Sequence, residues 1–154
     1  MTNPYVVIIG SDHVGYHMKD DIKNFLLNQP WFVREDGQII DVGCDGPIRC
    51  DYPDIAFNII EKIKEYQSDR VFGVAICGTG IGMSICLNRD NHIRAAVCQD
   101  EYVTEMSRKH NNANVITLGA RVIGDEAAKD LIKQFMTTSF DGGRHLDRIT
   151  KFSV

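Results

Sequence analysis

Apolar residues along this chain alternate between short continuous runs and helical spacings. Tyr5–Gly10 is an unbroken apolar run, the pattern of a parallel strand buried on both faces. The next stretch, Asp20–Leu27, places Ile22, Phe25 and Leu26 on one face of a helix. A short second strand follows at Ile39–Val42, and Ile55, Ile59, Ile60 and Ile63 mark a second helix. Val71–Cys77 reads as a third strand, followed by a glycine-rich turn and a helix-compatible stretch at Met83–Asn88. Ile93–Val97, Glu101–Lys109 and Val115–Leu118 supply a fourth strand, a fourth helix and a fifth strand. Asp125–Met136 is amphipathic, with Ala128, Leu131, Ile132 and Phe135 on one side. Strands and helices alternating in this way predict an α/β protein. The expected form is a Rossmann-like three-layer α/β/α sandwich around a mostly parallel five-stranded sheet.

With 154 residues and no linker, repeat or low-complexity segment, residues 1–154 form a single domain in this reading. Apolar residues at 44% and charged residues at 25% are ordinary globular values, which excludes a disordered or fibrous chain. The net charge of −4 argues against a general nucleic-acid partner. No apolar run is long enough to span a bilayer, and the N-terminal residues lack a signal-peptide pattern. A cytoplasmic protein with no membrane partner is expected. The cysteines at 44, 50, 77, 86 and 98 contain no C-x-x-C pair, and the five histidines are dispersed, so no metal motif is present. Cys86 and Cys98 lie among apolar residues and read as packing groups.

In open parallel sheets, ligands bind beyond the carboxyl ends of the strands. The densest chemistry there is Cys77-Gly78-Thr79-Gly80-Ile81-Gly82-Met83-Ser84. Alternate glycines let backbone N–H groups converge, and a following helix would add its positive end, which makes an oxyanion or phosphate cradle. A thiol at its lip would be favoured as the thiolate, a competent base or nucleophile. A tight turn beside a buried cysteine is the equally open structural reading. Three familiar loops fail. G-x-G-x-x-G and Cys-x₅-Arg both require another residue at Met83, and no Gly-Lys pair exists for a Walker loop.

Asp12-His13 follows the first strand. Asp12 could cap a helix starting near Gly15, while His13 could bind an anion or move a proton. His110 ends the fourth helix, where the helix dipole favours its protonation, and the Asn111–Asn114 segment reads as a turn. Arg144 and Arg148, four apart, could grip a phosphate from one helical face or simply face solvent. Arg121, after the fifth strand, is expected at the same rim as these arginines.

Taken together, six segments resemble the type B ribose-5-phosphate isomerases, within the wider family that includes galactose-6-phosphate isomerase subunits. They are Ser11–Gly15, Asp51–Asp54, Ile76–Ser84, His110–Val115, Leu118–Val122 and Gly142–His145, in family order and spread over almost the whole chain. The resemblance implies a homodimer or dimer of dimers with active sites at the subunit interface. It implies interconversion of ribose 5-phosphate and ribulose 5-phosphate, in the non-oxidative pentose phosphate branch, through a cis-enediolate and without metal or cofactor. By that resemblance Cys77 is the base between C2 and C1. Gly78, Thr79, Gly80, Ile81 and Gly82 bind the enediolate oxygens, and Thr79 counts among the catalytic residues. His110 of a neighbouring subunit opens the sugar ring with help from Asp12. His13, Arg144 and Arg148 hold the phosphate, and Asn111 and Arg121 line the site. One branch of the family uses a glutamate as base; the thiol here points to the cysteine branch.

Isomerisation of a six-carbon phosphate, allose or galactose 6-phosphate, is the rival activity, and a non-catalytic sugar-phosphate-binding module is the rival class. Gly43–Cys50, with two cysteines, matches no family pattern and reads as a loop.

Overall fold

The computed structural model describes residues 2–152. Its centre is a five-stranded sheet of β1 (Val6–Ser11), β2 (Gln38–Asp41), β3 (Val71–Cys77), β4 (Ala95–Val97) and β5 (Val115–Gly119). The order is β2-β1-β3-β5-β4, and every neighbouring pair is parallel. The succession of strands, first toward β2 and then toward β3, turns back at β1, so the crevice for a ligand opens between β1 and β3 where Ser11 and Cys77 end.

Alternation within the strands builds two cores. Val7, Ile9, Phe72, Val74, Ile76, Ile116 and Leu118 face one layer, made by α1 (Tyr16–Leu27), α5 (Glu101–Lys109) and α6 (Asp125–Thr137). Val6, Ile8, Val71, Ala75 and Cys77 face the other, made by α3 (Tyr52–Lys64) and α4 (Ile81–Leu87). The isoleucines of α3 show why that helix forms where it does. Ile55, Ile59, Ile60 and Ile63 are all buried, Pro53 sits in the first turn, and Lys62 and Lys64 close the last. Truncating fully buried Ile59 to alanine is worth about 2–5 kcal/mol of stability. No helix among the described residues is long and apolar enough to cross a membrane.

The alternation read from the sequence holds, with shifts at the ends. β1 begins one residue later and runs through Ser11, β4 is confined to Ala95–Val97, α1 begins at Tyr16, and α4 begins at Ile81. Two short helices are additional to the sequence pattern. α2 (Pro30–Val33) buries Phe32 against Tyr5 and Trp31. α7 (Arg144–Ile149) carries the C-terminal arginine pair. Both are too short for a periodic signal.

Two buried cations hold the loops that matter. Lys19 is 1% exposed and donates to Asp41 Oδ1 (2.9 Å) and to the Cys44 carbonyl (2.6 Å), tying α1 to the chain after β2. Arg108 donates to the Thr138 carbonyl (3.2 Å) and to the Ala113 carbonyl, and the Asp141 N–H donates to the Lys109 carbonyl (3.1 Å). These bonds seat the segment before α7 against the end of α5.

Candidate active site

Cys77 is the last residue of β3 and is 5% exposed. The chain turns sharply after it. Gly80 has φ +80°, a left-handed conformation that favours glycine, and its N–H donates to Cys77 Sγ at 3.2 Å. The Ile81 N–H donates to Thr79 Oγ1 at 3.3 Å. This turn lies directly on the end of β5. A Cβ on Gly119 would sit 2.8 Å from the Thr79 backbone, so only glycine lets the loop approach so closely. Tyr52 leans over the other side, its ring 2.7 Å from where a Cβ on Gly82 would be. Because α4 has only seven residues, the cradle rests on the loop amides more than on a helix dipole.

Beside this turn, Asp12 is 7% exposed. Its Oδ1 accepts from the N–H groups of Val14 (2.9 Å) and Gly15 (3.2 Å), and its own N–H donates to the Ile76 carbonyl (3.1 Å). This is a local side-chain turn ahead of α1, whose N-cap is Gly15; the expectation that Asp12 caps the helix is corrected. His13, half-buried, accepts from the Cys50 N–H through Nδ1 at 3.4 Å. That acceptor role leaves Nε2 to carry the proton of the neutral ring. Arg121 extends along Gly78, with Nη1 3.7 Å from where a Cβ on Gly78 would be. Asp12, His13, Cys77, Gly78–Gly82 and Arg121 therefore form one group at the carboxyl rim of the sheet.

A second group lies at the opposite rim. His110 is the C-cap of α5, just ahead of the turn that leads into β5. Its ring stacks on that of His145, with centroids 4.2 Å apart and planes 11° from parallel. His145 is buried, and that burial, His110, Arg144 and Arg148 together hold its pKa below the usual imidazole range. Arg144 and Arg148 flank it on α7, both exposed, with exposed Asn111 beside His110. Asp141, His110 and His145 bring potential ligand atoms within 4.8 Å of one another, so histidines dispersed in sequence converge in space. The near-parallel rings set their in-plane lone pairs side by side, which suits stacking better than convergence on one ion.

The two groups are separated by the sheet itself. Gly73 pairs with Val115 and Cys77 with Gly119. The four steps between put about 13 Å of strand between the two levels, and His110 lies beyond the lower one. Arg121 therefore does not share a rim with Arg144 and Arg148 within one chain, contrary to the expectation from sequence. Nor does His13 meet those arginines. Sequence reading also gave His145 no part of its own; a histidine between two arginines carries no signal until the stack with His110 is seen.

Comparisons with known proteins fit this arrangement. The family model described as Ribose/Galactose Isomerase matches residues 7–152. Ribose-5-phosphate isomerase B of Escherichia coli is 36% identical over 143 residues, covering 93% of this chain and 91% of that protein. D-erythrulose-4-phosphate isomerase of Pectobacterium atrosepticum is 39% identical over 145 residues, covering 94% and 91%. The structure of Clostridium thermocellum ribose-5-phosphate isomerase B superposes with a TM-score of 0.85 at 41% identity, covering 95% of this chain and 93% of that one. Motifs, sheet order and full-length similarity agree: the chain belongs to the ribose/galactose isomerase family.

Proposed function

We propose that this protein is an aldose–ketose isomerase that interconverts ribose 5-phosphate and ribulose 5-phosphate, acting as a homodimer in which each site combines the carboxyl rim of one copy with the opposite rim of the other. The observation that carries this reading is the division of the site residues between two ends of one sheet. Neither end alone holds a base, a ring-opening acid and a phosphate grip.

Each group has a task that follows from its setting. Cys77 Sγ removes the C2 proton and returns it at C1, while the Gly80 N–H is positioned to stabilise negative charge on the sulfur. In the Gly78–Gly82 turn, where the Gly80 and Ile81 N–H groups are engaged by Cys77 Sγ and Thr79 Oγ1, the remaining amides and Thr79 serve the oxygens on which charge develops in the enediolate. Asp12 uses Oδ1 for its own loop, which leaves Oδ2 for a sugar hydroxyl. From the second copy, His110 donates the proton that opens the ring, and its stacked neighbour His145 holds the imidazole in place. Arg144 and Arg148 of that copy, with His13 of the first, bind the phosphate, and Asn111 and Arg121 line the sugar. Binding energy from the distant phosphate orients C1 and C2 against the thiol.

The surface supports pairing of copies. Ile81 and Ile85 are 51% and 61% exposed on α4. A cavity of about 530 Å³ beside Asn111 has a mixed lining: Ile93, Leu146, Ile149 and Phe152 are apolar groups suited to receive such side chains, and Asn88, Asp90 and Arg94 are polar.

The test is turnover of ribose 5-phosphate by the purified protein with and without EDTA, alongside Cys77→Ala and a panel of four-, five- and six-carbon sugar phosphates. Turnover that survives the chelator and falls about 10³-fold or more in the variant is expected. Undiminished turnover in Cys77→Ala would remove the thiol as base. Faster turnover of erythrulose 4-phosphate, allose 6-phosphate or galactose 6-phosphate would move the assignment to that sugar.

A further inference from the structure

Gly43–Cys50 carries two cysteines that the isomerase chemistry leaves unused, and it ends against a residue of the proposed phosphate site. Its two ends are held very differently. At Cys44 the backbone is fixed twice: the N–H donates to the Ser11 carbonyl (2.8 Å), and the carbonyl accepts from buried Lys19 (2.6 Å). At Cys50 the N–H makes one long bond, 3.4 Å, to His13 Nδ1. Between them the chain is largely exposed, with Ile48 82% accessible, so it can adjust.

Both ends of this short loop dock on the same stretch of chain, Cys44 on Ser11 and Cys50 on His13, which brings the two cysteines toward each other. The Cys44 Sγ–H donates to the Ile48 carbonyl at 3.5 Å, within the loop that Cys50 closes. Burial first, and the Cys44 thiol next, push Cys50 up to about 12, so it is held as the protonated partner. A pair with one firmly protonated thiol divides naturally into an attacking and a resolving sulfur. Both residues are half-buried rather than sealed in the core.

We infer that Cys44 and Cys50 form a reversible disulfide, and that its formation withdraws the Cys50 N–H from His13 and weakens phosphate binding. The oxidant class is a small disulfide. Cys44 attacks one of its sulfurs as the thiolate, forming a mixed disulfide and expelling one small thiolate. Cys50 then gives its proton to solvent and attacks the Cys44 sulfur, expelling the second small thiol. Two protein thiols are oxidised and one small disulfide is reduced to two thiols. Since Cys44 is anchored twice and Cys50 once, the closing bond moves the Cys50 end. His13 then loses the contact that sets its tautomer. The effect on the phosphate site rests on the isomerase reading; the disulfide itself does not.

The test treats the full protein with glutathione disulfide, blocks free thiols and digests without reductant. Trypsin cuts after Arg49, between the two cysteines, so the bond appears as Glu35–Arg49 joined to Cys50–Lys62, about 2 Da lighter than the sum of the free peptides. In parallel, the KM for ribose 5-phosphate is expected to rise about fivefold, the loss of one hydrogen bond, and to return on reduction. Cys44→Ser is expected to keep basal activity and lose both responses, which separates them from any modification of Cys77. Recovery of both cysteines blocked, or of mixed disulfides without the joined peptides, would overturn the pair. Joined peptides with an unchanged KM would overturn the link to His13. Joined peptides in a protein that turns over no sugar phosphate would keep the disulfide and discard the isomerase reading.

Discussion

The two rims of the sheet are built on different physical terms. At the carboxyl rim, Cys77 and Asp12 are nearly buried, and the loop between β3 and α4 is pressed onto β5 so closely that a single methyl group would collide. At the other rim, Arg144, Arg148 and Asn111 stand in solvent on helix ends and turns, organised mainly by the His110–His145 stack and by the bonds of Arg108 and Asp141. A base must be held to within a fraction of an ångström and kept from water, whereas a phosphate grip tolerates longer, mobile side chains. On the proposed reading, one end is finished within the chain and the other is left for a second copy to enclose.

The strongest way to break this comparison is complementation. Cys77→Ala and His110→Ala are each expected to be nearly inactive. Dissociated and reassociated together at equal amounts, they should recover about a quarter of the unmodified activity, since half of the dimers are mixed and each mixed dimer holds one intact site of two. Mixtures that stay inactive, while the dimers demonstrably exchange, would place the whole site in one chain.

The rigidity of the carboxyl rim is tested next by Gly119→Ala. Displacing the Thr79 backbone is expected to lower kcat about 10²-fold with a modest change in KM; wild-type kcat in a folded variant would show that the close packing serves stability alone. Arg148→Ala addresses the opposite rim and should raise KM about tenfold with kcat largely retained. If kcat falls while KM stays put, Arg148 acts on the reacting carbons and not on the phosphate.

The smallest effect concerns Asp41, which fastens the carboxyl rim to α1. Burial opposes its ionisation, but hydrogen bonds from Lys23, Lys19 and the Gly43 N–H outweigh that, and its pKa lies below the ordinary 3.8. The folded state thus gives up this proton more readily than the unfolded one. The stabilisation is complete above about pH 4 and disappears as the pH falls through the depressed folded value. Asp41→Asn should cost about 2 kcal/mol near neutrality and flatten the acid side of a denaturation curve. An unchanged acid limb would show that Asp41 contributes nothing to acid stability.

Much of this architecture is legible in the amino-acid sequence. Continuous apolar runs mark the central strands β1 and β3, because strands buried on both faces have no choice but to be apolar, while the edge strands β2 and β4 are only partly buried and leave a shorter trace. The isoleucine spacing of α3 and the amphipathic α6 follow from the same requirement at a period of 3.6. Family motifs point to nearly every residue of the candidate site. Lys19 could not be found this way: a lysine between Met18 and Asp20 looks like solvent-facing charge, and only the fold brings Asp41 and the Cys44 carbonyl to it.

Local chemistry is therefore what the sequence determined by itself. A thiol at the end of a buried strand, glycines free to turn after it, and a histidine ending a helix are all consequences of residue type and neighbouring residues. The side of the sheet on which each of them emerges belongs to tertiary structure. β4 and β5 are parallel, so α5 must run back from the carboxyl rim to the opposite rim before β5 begins. That single crossover carries His110 to the rim opposite Cys77, and the Asp141–Lys109 bond draws α7 and its arginines after it. Residue spacing along a chain does not encode which end of a strand a loop occupies; the parallel direction of the strands it joins does.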